Sequence, residues 1–345
     1  MIKSNIVNYL KKVIKEKIEI EVFIPENEQF GHYSTNVALK LAKLRSQNPM
    51  EIATQIMSDV KDQMSDIVSK IEVAPPGFIN FWLKPEVFQS ELKEILKKKE
   101  KYGKSTLRQA QGKKIQIEFV SANPTGPLTL ANGRGGFFGD VLSNILEFCG
   151  YKVEREYYVN DTGNQIITLG KSLAASVGLI SYEENFYQGD YIKDWAKKNP
   201  ALIKKHKNNY LELGQSAAKD FLASIKKVLI KDSKIHFDRF TSEDRHIHKK
   251  SFTKKALAIF EKSGLMYKKD GALWFKTTQF GDDKDRVFVT KDGFPTYFLA
   301  DAGHYLETKK RGFDQKINIF GPDHYGYVKR IQAAAEIMGV KNSKI

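Results

Sequence analysis

The chain has 345 residues, of which 41% are hydrophobic and 28% charged, and its formal net charge is +15. These values are typical of a globular protein of about two domains, and the absence of any apolar run near 18 residues excludes a membrane span. Cys149 is the only cysteine, which excludes an internal disulfide, and the N-terminus lacks a signal-peptide layout, so we expect a cytoplasmic protein.

The excess of basic residues has two interpretations, and both stay open at this point. It is expected for a lysine-rich surface, and it is also expected for a protein with a polyanionic partner. The basic residues are spread over several segments with aromatic residues among them. That distribution suits a large folded nucleic acid better than a single basic tail would.

The first 99 residues predict a small α+β domain. Apolar residues three to four apart predict one helix around Ile6 and Leu10, a second striped by Val37, Leu41 and Leu44, and a third over about 50–64. Residues 78–83 read as a strand and 92–99 as a closing helix. The polar segment 100–113 is the predicted linker to a second domain over 114–345.

The segment 114–149 predicts a strand over 115–120, a turn-rich loop and a helix from Gly133. Phe138, Val141 and Ile145 belong to the predicted buried stripe of that helix. A strand, a glycine-bearing loop and a helix N-terminus form the geometry that receives phosphate. Glycine also serves plain helix–strand packing, so these local features leave a nucleotide site and a structural turn equally open.

The remaining chain predicts further alternation of strands and helices. Residues 152–159 form a strand, and Asn160 or Asp161 is the expected N-cap of the next helix. A basic helical insertion over about 180–265 follows, with a solvated face or contact to an RNA backbone as its alternative roles. Alternation is expected to resume with strands at 272–275, 285–290 and 316–320 and helices at 300–308 and 321–338.

The run Glu-Phe-Val-Ser-Ala-Asn-Pro-Thr-Gly-Pro-Leu at 118–128 closely resembles the signature of bacterial arginyl-tRNA synthetases. Segments 31–36, 76–80 and 160–165 are also similar to that family. The resemblance implies a Rossmann-like class I catalytic domain with a helical insertion, preceded by a small α+β domain that contacts tRNA. It also implies ATP-dependent activation of L-arginine to arginyl-adenylate and transfer to tRNA(Arg), with Mg²⁺ accompanying ATP and a monomeric enzyme.

The same resemblance assigns roles to individual residues, each of which has a plain structural alternative as a core, turn or surface residue. The residues implied to bind arginine are Glu118, Ser121, Asn123, Glu243, Tyr297, Asp301 and Asp323. Those implied to bind ATP are Pro127, Leu128, Thr129, Ala131, Asn132, Gly133 and His324. Those implied to contact tRNA are Tyr33, Asn36, Phe78 and Asn80. No metal site is predicted, because the histidines show no three-ligand spacing.

Two departures from the family separate the possible functions. The family's His-Ile-Gly-His tetrapeptide reads Thr-Leu-Ala-Asn at 129–132, so region 122–132 is a degenerate match, with Thr129, Asn132 and Arg134 as the expected catalytic donors. The family's Lys-Met-Ser-Lys loop and anticodon-binding domain lie beyond this chain. We therefore expect the N-terminal portion of a longer enzyme, or an impaired relative that binds tRNA. Another adenylating Rossmann enzyme, such as a small-molecule ligase, is a third possibility.

Overall fold

The computed structural model describes residues 2–104, 112–293, 295–313, 315–321 and 326–340. The chain divides into two compact units, Met1–Tyr102 and Gly103–Ile345. Much of the predicted linker, and Asp323 and His324 of the predicted site, lie outside the described residues. In the part of the chain that is described, no helix is long and apolar enough to cross a membrane.

The first unit is an antiparallel sheet covered by helices. Its strands are β1 (Val22–Phe23), β2 (Tyr33–Thr35), β3 (Val68–Ala74) and β4 (Phe78–Leu83), in the order β1-β2-β4-β3. Its α-helices are α1 (Ile2–Val13), α2 (Val37–Arg45), α3 (Pro49–Lys61) and α4 (Pro85–Lys98). Apolar stripes of α1, α2 and α3 pack with β4 into one core that contains Ile6, Leu41, Ile56 and Phe81.

The helices and the strand predicted for this unit are present, with one error on α2. Leu44 was expected on the buried stripe, yet it is 64% exposed. The reason is that α2 ends at Arg45, and the next residue, Ser46, adopts a left-handed conformation with φ 52°. The last turn of α2 therefore lies at the edge of the core and leaves Leu44 outside it.

The second unit contains two sheets and eight α-helices within the described ranges. Its strands are β5 (Lys114–Glu118), β6 (Lys152–Val159), β7 (Arg239–Ser242), β8 (Met266–Lys269), β9 (Ala272–Phe275), β10 (Arg286–Val289) and β11 (Gln315–Asn318). Its α-helices are α5 (Leu130–Phe148), α6 (Asn164–Ser176), α7 (Asp190–Lys198), α8 (Pro200–Lys205), α9 (Tyr210–Lys226), α10 (Phe252–Lys262), α11 (Tyr297–Lys310) and α12 (Val328–Ile337). π-helical turns form at Lys227–Asp232 and Glu243–His248.

The main sheet has the order β11-β5-β6-β7, and all three of its pairings are parallel. Parallel strands joined through helices are the hallmark of the α/β class, so the predicted Rossmann-like fold is confirmed. The carboxyl ends of these strands meet at one edge, which is where such sheets bind ligands.

Two predictions about the order of elements in this unit were wrong. The segment 180–265 is not helical throughout, because Arg239–Ser242 forms β7 at the edge of the parallel sheet. The strands near 272–275 and 285–290 do not resume the parallel alternation. They pair with β8 in a separate antiparallel sheet of order β10-β9-β8. Two residues join β8 to β9 and ten join β9 to β10, which is too short for a parallel crossover of a dozen or more residues.

The packing of α5 also differs from the prediction. The helix begins at Leu130 rather than Gly133, and Phe138 of the expected buried stripe is 61% exposed. The buried face of α5 carries Gly136, Gly139 and Ser143 instead. A Cβ at Gly139 would lie 2.3 Å from a ring carbon of Phe119, so a small residue lets the helix approach the sheet.

The start of α6 likewise differs, since its N-cap is Gly163 and neither Asn160 nor Asp161. The Asp161 carboxylate instead accepts hydrogen bonds from Ser242 Oγ at 2.5 Å and from the Asp244 backbone N–H at 3.0 Å. Asp161 therefore ties the end of β6 to the turn that follows β7.

Candidate active site

A cleft of about 1580 Å³ lies at the carboxyl-end edge of the parallel sheet. Its walls come from the loop after β5, the first turn of α5, the turn after β7 and one face of α11. Pockets for one small molecule usually measure about 300–1000 Å³, so this cleft has room for two substrates together.

The loop after β5 begins with an unusual backbone. Val120 and Ser121 both have positive φ, 66° and 39°, which side chains other than glycine rarely adopt. Strain of this kind is retained where the surrounding contacts hold it, and often at functional sites. Here Ser121 Oγ donates to Glu118 Oε1 at 3.1 Å and accepts from the Tyr158 N–H at 3.0 Å. The turn therefore fixes the orientation of the Glu118 carboxylate.

Among the described residues, three carboxylates line the cleft, and we call Glu118, Glu243 and Asp301 the acidic wall. Asp301 Oδ2 accepts a hydrogen bond from Tyr327 Oη at 2.7 Å. Burial, reinforced by the nearby charges of Glu118 and Glu243, nevertheless raises the pKa of Asp301 to about 7. Carboxylates crowded in this way attract a cation, because a bound cation relieves their mutual repulsion.

Glu243 is the first residue of the π-helical turn after β7. Its Oε1 accepts a hydrogen bond from His248 Nε2 at 3.0 Å, and this bond raises the pKa of His248 above its usual value. Ser242 caps the turn by accepting from the Arg245 N–H at 3.1 Å. The carboxylate is thus oriented by its own turn and keeps a second oxygen for a ligand.

Tyr158, on β6, supplies a polar atom that the protein does not satisfy. Its ring stacks on His304 with centroids 4.3 Å apart. Its hydroxyl is buried and finds no hydrogen-bond partner among the described residues. Buried polar groups are normally paired, so an orphan hydroxyl in a ligand cleft points to a polar ligand.

The first turn of α5 closes on itself through a capping box. The Thr129 N–H donates to Asn132 Oδ1 at 2.9 Å, and the Asn132 N–H donates to Thr129 Oγ1 at 3.4 Å. The threonine hydroxyl also donates to Asn132 Oδ1 at 2.8 Å. The two residues at the histidine positions of the family motif therefore stabilise the helix start. Arg134, exposed in the same turn, forms no ion pair with the described residues and lines the cleft.

The cleft brings together most of the residues predicted for arginine and ATP. The predicted residues that line it are Glu118, Ser121, Asn123, Pro127, Thr129, Ala131, Asn132, Arg134, Glu243, Tyr297 and Asp301. Leu128 and Gly133 do not line it, and Leu128 packs instead against the core beneath the sheet. The roles of Asp323 and His324 stay predictions, since these residues lie outside the described ranges.

The four residues predicted to contact tRNA lie on the sheet of the first unit or next to it. Asn80 is 2% exposed, and its Oδ1 accepts from Ser34 Oγ at 2.7 Å, so it is a core residue rather than a surface contact. Tyr33, Asn36 and Phe78 are half-buried and keep part of their surface at the solvent.

Sequence reasoning gave no role to Glu156, His304 and Lys316, which surround the predicted Glu118 at the floor of the cleft. We call Glu118, Glu156, His304 and Lys316 the floor cluster. The ligand atoms of Glu118, Glu156 and His304 lie within 4.8 Å of one another, as in a metal site. Lys316 Nζ, however, is 2.9 Å from Glu118 Oε2 and 3.5 Å from Glu156 Oε2, so an ammonium already serves as the cation there. The sequence did contain a signal for this cluster, because strands of a sheet that is covered by helices on both faces are normally apolar, and these strands carry charged residues.

The parallel sheet with its charged cleft defines a Rossmann-like α/β domain of the class I synthetase type, and family comparisons agree. Residues 1–83 match the model described as arginyl tRNA synthetase N terminal domain. Residues 91–344 match the model described as tRNA synthetases class I (R), catalytic domain. The chain therefore belongs to the arginyl-tRNA synthetase family.

Individual relatives support the same assignment. The chain is 40% identical over 328 residues to an arginine–tRNA ligase of Oceanobacillus iheyensis, covering 91% of this chain and 58% of the relative. It is 38% identical to the arginine–tRNA ligase of Citrifermentans bemidjiense, with 93% and 59% covered. The fold resembles the arginyl-tRNA synthetase of Plasmodium falciparum, with TM-score 0.67, 17% identity, and 100% and 64% covered. The chain thus spans less than two thirds of the length of these relatives.

Proposed function

We propose that the chain carries the active site of an arginine–tRNA ligase. The proposed reaction joins L-arginine to ATP as arginyl-adenylate and then transfers the arginyl group to tRNA(Arg). The names of the relatives and the family match support this proposal. So does the cleft, which combines the three carboxylates of the acidic wall with an exposed cation at a helix N-terminus.

The acidic wall is the observation that carries the proposal. A guanidinium group is planar and can bind one carboxylate through two parallel N–H···O hydrogen bonds. The lysine ammonium is a compact point charge without that geometry. Glu118, Glu243 and Asp301 offer such acceptors in one cleft, next to the unsatisfied Tyr158 hydroxyl. A protein that only binds RNA has no use for this arrangement. We therefore rank the non-catalytic alternative second.

The first turn of α5 is the proposed site of the ATP phosphates. The N–H groups of Leu130 and Ala131 lie in that first turn, where a helix has no partners of its own for them, and the helix dipole favours an anion there. The guanidinium of Arg134 adds a positive charge in the same turn. Magnesium is expected to arrive with the nucleotide as part of the substrate, and its ligands would be mainly phosphate oxygens.

The proposed chemistry is direct attack of the arginine carboxylate on the α-phosphorus, with pyrophosphate as the leaving group. It needs no covalent enzyme intermediate, so the contribution of the protein is to hold the two substrates in line and to stabilise negative charge. Thr129 and Asn132 are largely occupied in the capping box, and we therefore propose that Arg134 supplies the donor that the family histidines would give.

The proposal extends to partners and location. The net charge of +15 and the half-buried Tyr33, Asn36 and Phe78 are consistent with contact to tRNA(Arg). We propose a monomeric protein that acts in the cytoplasm, where its tRNA substrate is found.

Arginine-dependent exchange between ATP and pyrophosphate tests this function, with and without tRNA(Arg). We expect exchange with L-arginine and none with L-lysine or L-citrulline. Glu243→Gln should lower the exchange rate at least tenfold, because it removes an acceptor charge from the wall. The control variant Glu184→Gln changes an exposed carboxylate and should leave the rate unchanged. Binding of tRNA(Arg) without any exchange, and without arginine binding, would favour the non-catalytic alternative instead.

A further inference from the structure

The floor cluster joins four elements of the parallel domain through one buried ammonium. Lys316 on β11 is fully buried, and its Nζ lies 2.9 Å from Glu118 Oε2 on β5 and 3.5 Å from Glu156 Oε2 on β6. It also lies 3.3 and 3.2 Å from the two ring nitrogens of His304 on α11. A single cation therefore contacts both carboxylates and the imidazole.

His304 orients Glu156 in this group. Its Nε2 lies 2.9 Å from Glu156 Oε2, and since a carboxylate only accepts, the imidazole must be the donor. Because Nε2 then carries the proton, only Nδ1 has an in-plane lone pair, and Lys316 Nζ, almost equally far from the two nitrogens, is not in line with it. The ammonium is thus held mainly by the two carboxylates.

Glu156 has more cationic partners than Glu118. Its Oε1 accepts from Thr241 Oγ1, and Arg311 Nη1 and Arg239 Nε lie 3.5 and 3.7 Å away. Burial alone would raise the pKa of Glu156, but His304, Lys316 and these hydrogen bonds hold it well below its usual range. Glu156 is therefore a fixed negative charge that holds Lys316 in the sheet.

Glu118 has fewer cationic partners, and of the two carboxylates in the cluster it is the one that lines the cleft. Its Oε2 accepts from Asn318 Nδ2 at 2.8 Å as well as from Lys316, while Ser121 donates to Oε1. His304 Nδ1 is 3.8 Å from Oε2. The titratable groups near this end of the cleft include Asp301 with its partner Tyr327, Glu243 with its partner His248, and Tyr158.

We propose that Lys316 is a positioning residue for arginine, because it holds the Glu118 carboxylate at the cleft while Glu156 prevents it from neutralising Glu118 completely. The ammonium is shared between the two carboxylates, and Arg311 and Arg239 add positive charge on the Glu156 side, so Glu118 keeps negative charge that faces the cleft. This inference rests on the proposed function, since it deepens the account of the arginine pocket.

The two changes should act on Glu118 in different ways. Without Lys316, the Glu118 carboxylate loses the ammonium that lies 2.9 Å from its Oε2, so its position at the cleft is no longer fixed. Without the charge of Glu156, Lys316 would pair with Glu118 alone and offset its charge at every pH. A purely structural role for the cluster would produce neither pattern.

The test is the affinity for L-arginine, measured by calorimetry between pH 6 and pH 8 on the full chain. The variants are Lys316→Met, Glu156→Gln and the two changes combined, which remove one charge of each sign and so bury no excess charge. Arg155→Met is the matched control. Arg155 is a buried cation on the same strand as Glu156, and it pairs with Glu147 at 2.8 Å, away from the cleft.

We expect the unchanged chain to bind arginine about tenfold more weakly at pH 6 than at pH 8, because Asp301 becomes protonated. Lys316→Met should weaken arginine binding by about tenfold, and the combined variant should bind no more weakly than that, because Glu156 acts on arginine only through Lys316. Glu156→Gln should weaken binding by about tenfold at both pH values without changing the slope. Arg155→Met should lower the melting temperature and leave arginine affinity unchanged.

The outcomes separate this inference from the function on which it rests. If the unchanged chain binds no arginine, the proposed function fails. If it binds arginine and removal of Lys316, alone or with the Glu156 charge, leaves both affinity and slope unaltered, the positioning role is wrong. Losses that simply add in the combined variant would also overturn it, because they would show that Glu156 does not act through Lys316.

Discussion

The acidic wall and the first turn of α5 line the same cleft, yet they hold their polar groups in opposite ways. The wall groups are buried or half-buried and crowded, and one of them, Asp301, has a pKa raised to about 7. The turn is exposed, and its polar side chains at Thr129 and Asn132 satisfy one another. The comparison indicates that binding of a cation favours the ionised form of Asp301 in the wall. In the turn, by contrast, the side chains of Thr129 and Asn132 already satisfy each other, so the groups left for a ligand are backbone N–H groups and Arg134.

The largest effect is expected on the acidic wall. Asp301→Asn keeps the shape of the side chain but removes its charge, and we expect arginine binding at pH 8 to weaken by about 2–4 kcal/mol. Isothermal titration calorimetry measures this loss directly, and Glu184→Gln again serves as the control. Unchanged affinity at pH 8 would show that Asp301 does not contact the guanidinium.

The next largest effect is expected on stability, at the point where α5 packs against the sheet. Gly139→Ala places a Cβ 2.3 Å from the Phe119 ring, and we expect the free energy of unfolding to fall by about 1–3 kcal/mol. Gly133→Ala is the matched control in the same helix, because nothing lies within 4 Å of its Cβ position. That control should be neutral or stabilise slightly, since alanine favours a helix more than glycine does. Equal destabilisation by both changes would contradict the packing described.

The pH dependence is a third way to separate the two regions. Asp301 holds its proton more tightly in the fold than in the unfolded chain, so its contribution to stability is present below about pH 4 and is lost as the pH rises through about 7. Arginine affinity should run the other way and increase about tenfold from pH 6 to pH 8. Asp301→Asn should flatten that profile, whereas Thr129→Ala should leave it intact.

The smallest effect is expected at the turn itself. Thr129→Ala removes the side-chain acceptor of the helix cap, and we expect the free energy of unfolding to fall by about 1 kcal/mol. Denaturant titration measures this change, with Asn132→Ala and the double variant completing a cycle. Strictly additive effects in that cycle would show that the two residues do not act as a capping box.

Sequence reasoning found the cleft because its residues follow strand ends or share a helix face. Glu118 ends β5, and Tyr297 and Asp301 are one turn apart on α11, positions that local periodicity can indicate in a single sequence. Glu243 was found only through the family resemblance, since β7 before it was not predicted. The order of motifs resembling the arginyl-tRNA synthetases then supplied the roles.

The features that sequence reasoning missed depend on contacts between distant segments. The Lys316–Glu156 contact joins residues 160 apart, and no local pattern predicts it. The left-handed backbone at Val120 and Ser121 is equally hidden, because neither residue type favours that conformation. The predicted buried stripe of α5 was wrong because the close packing of the helix against Phe119 leaves room for glycine and not for larger apolar residues. Tertiary contacts overrode the local pattern at each of these places.

The most direct test of the account is calorimetric titration of the chain at pH 8 with L-arginine and with L-citrulline, its neutral isostere. The acidic wall predicts that arginine binds and that citrulline binds at least about a hundredfold more weakly, since a charged recognition group would lose its partner. Equal affinity for the two compounds, or no binding of arginine, would contradict the claim that these carboxylates recognise a guanidinium group.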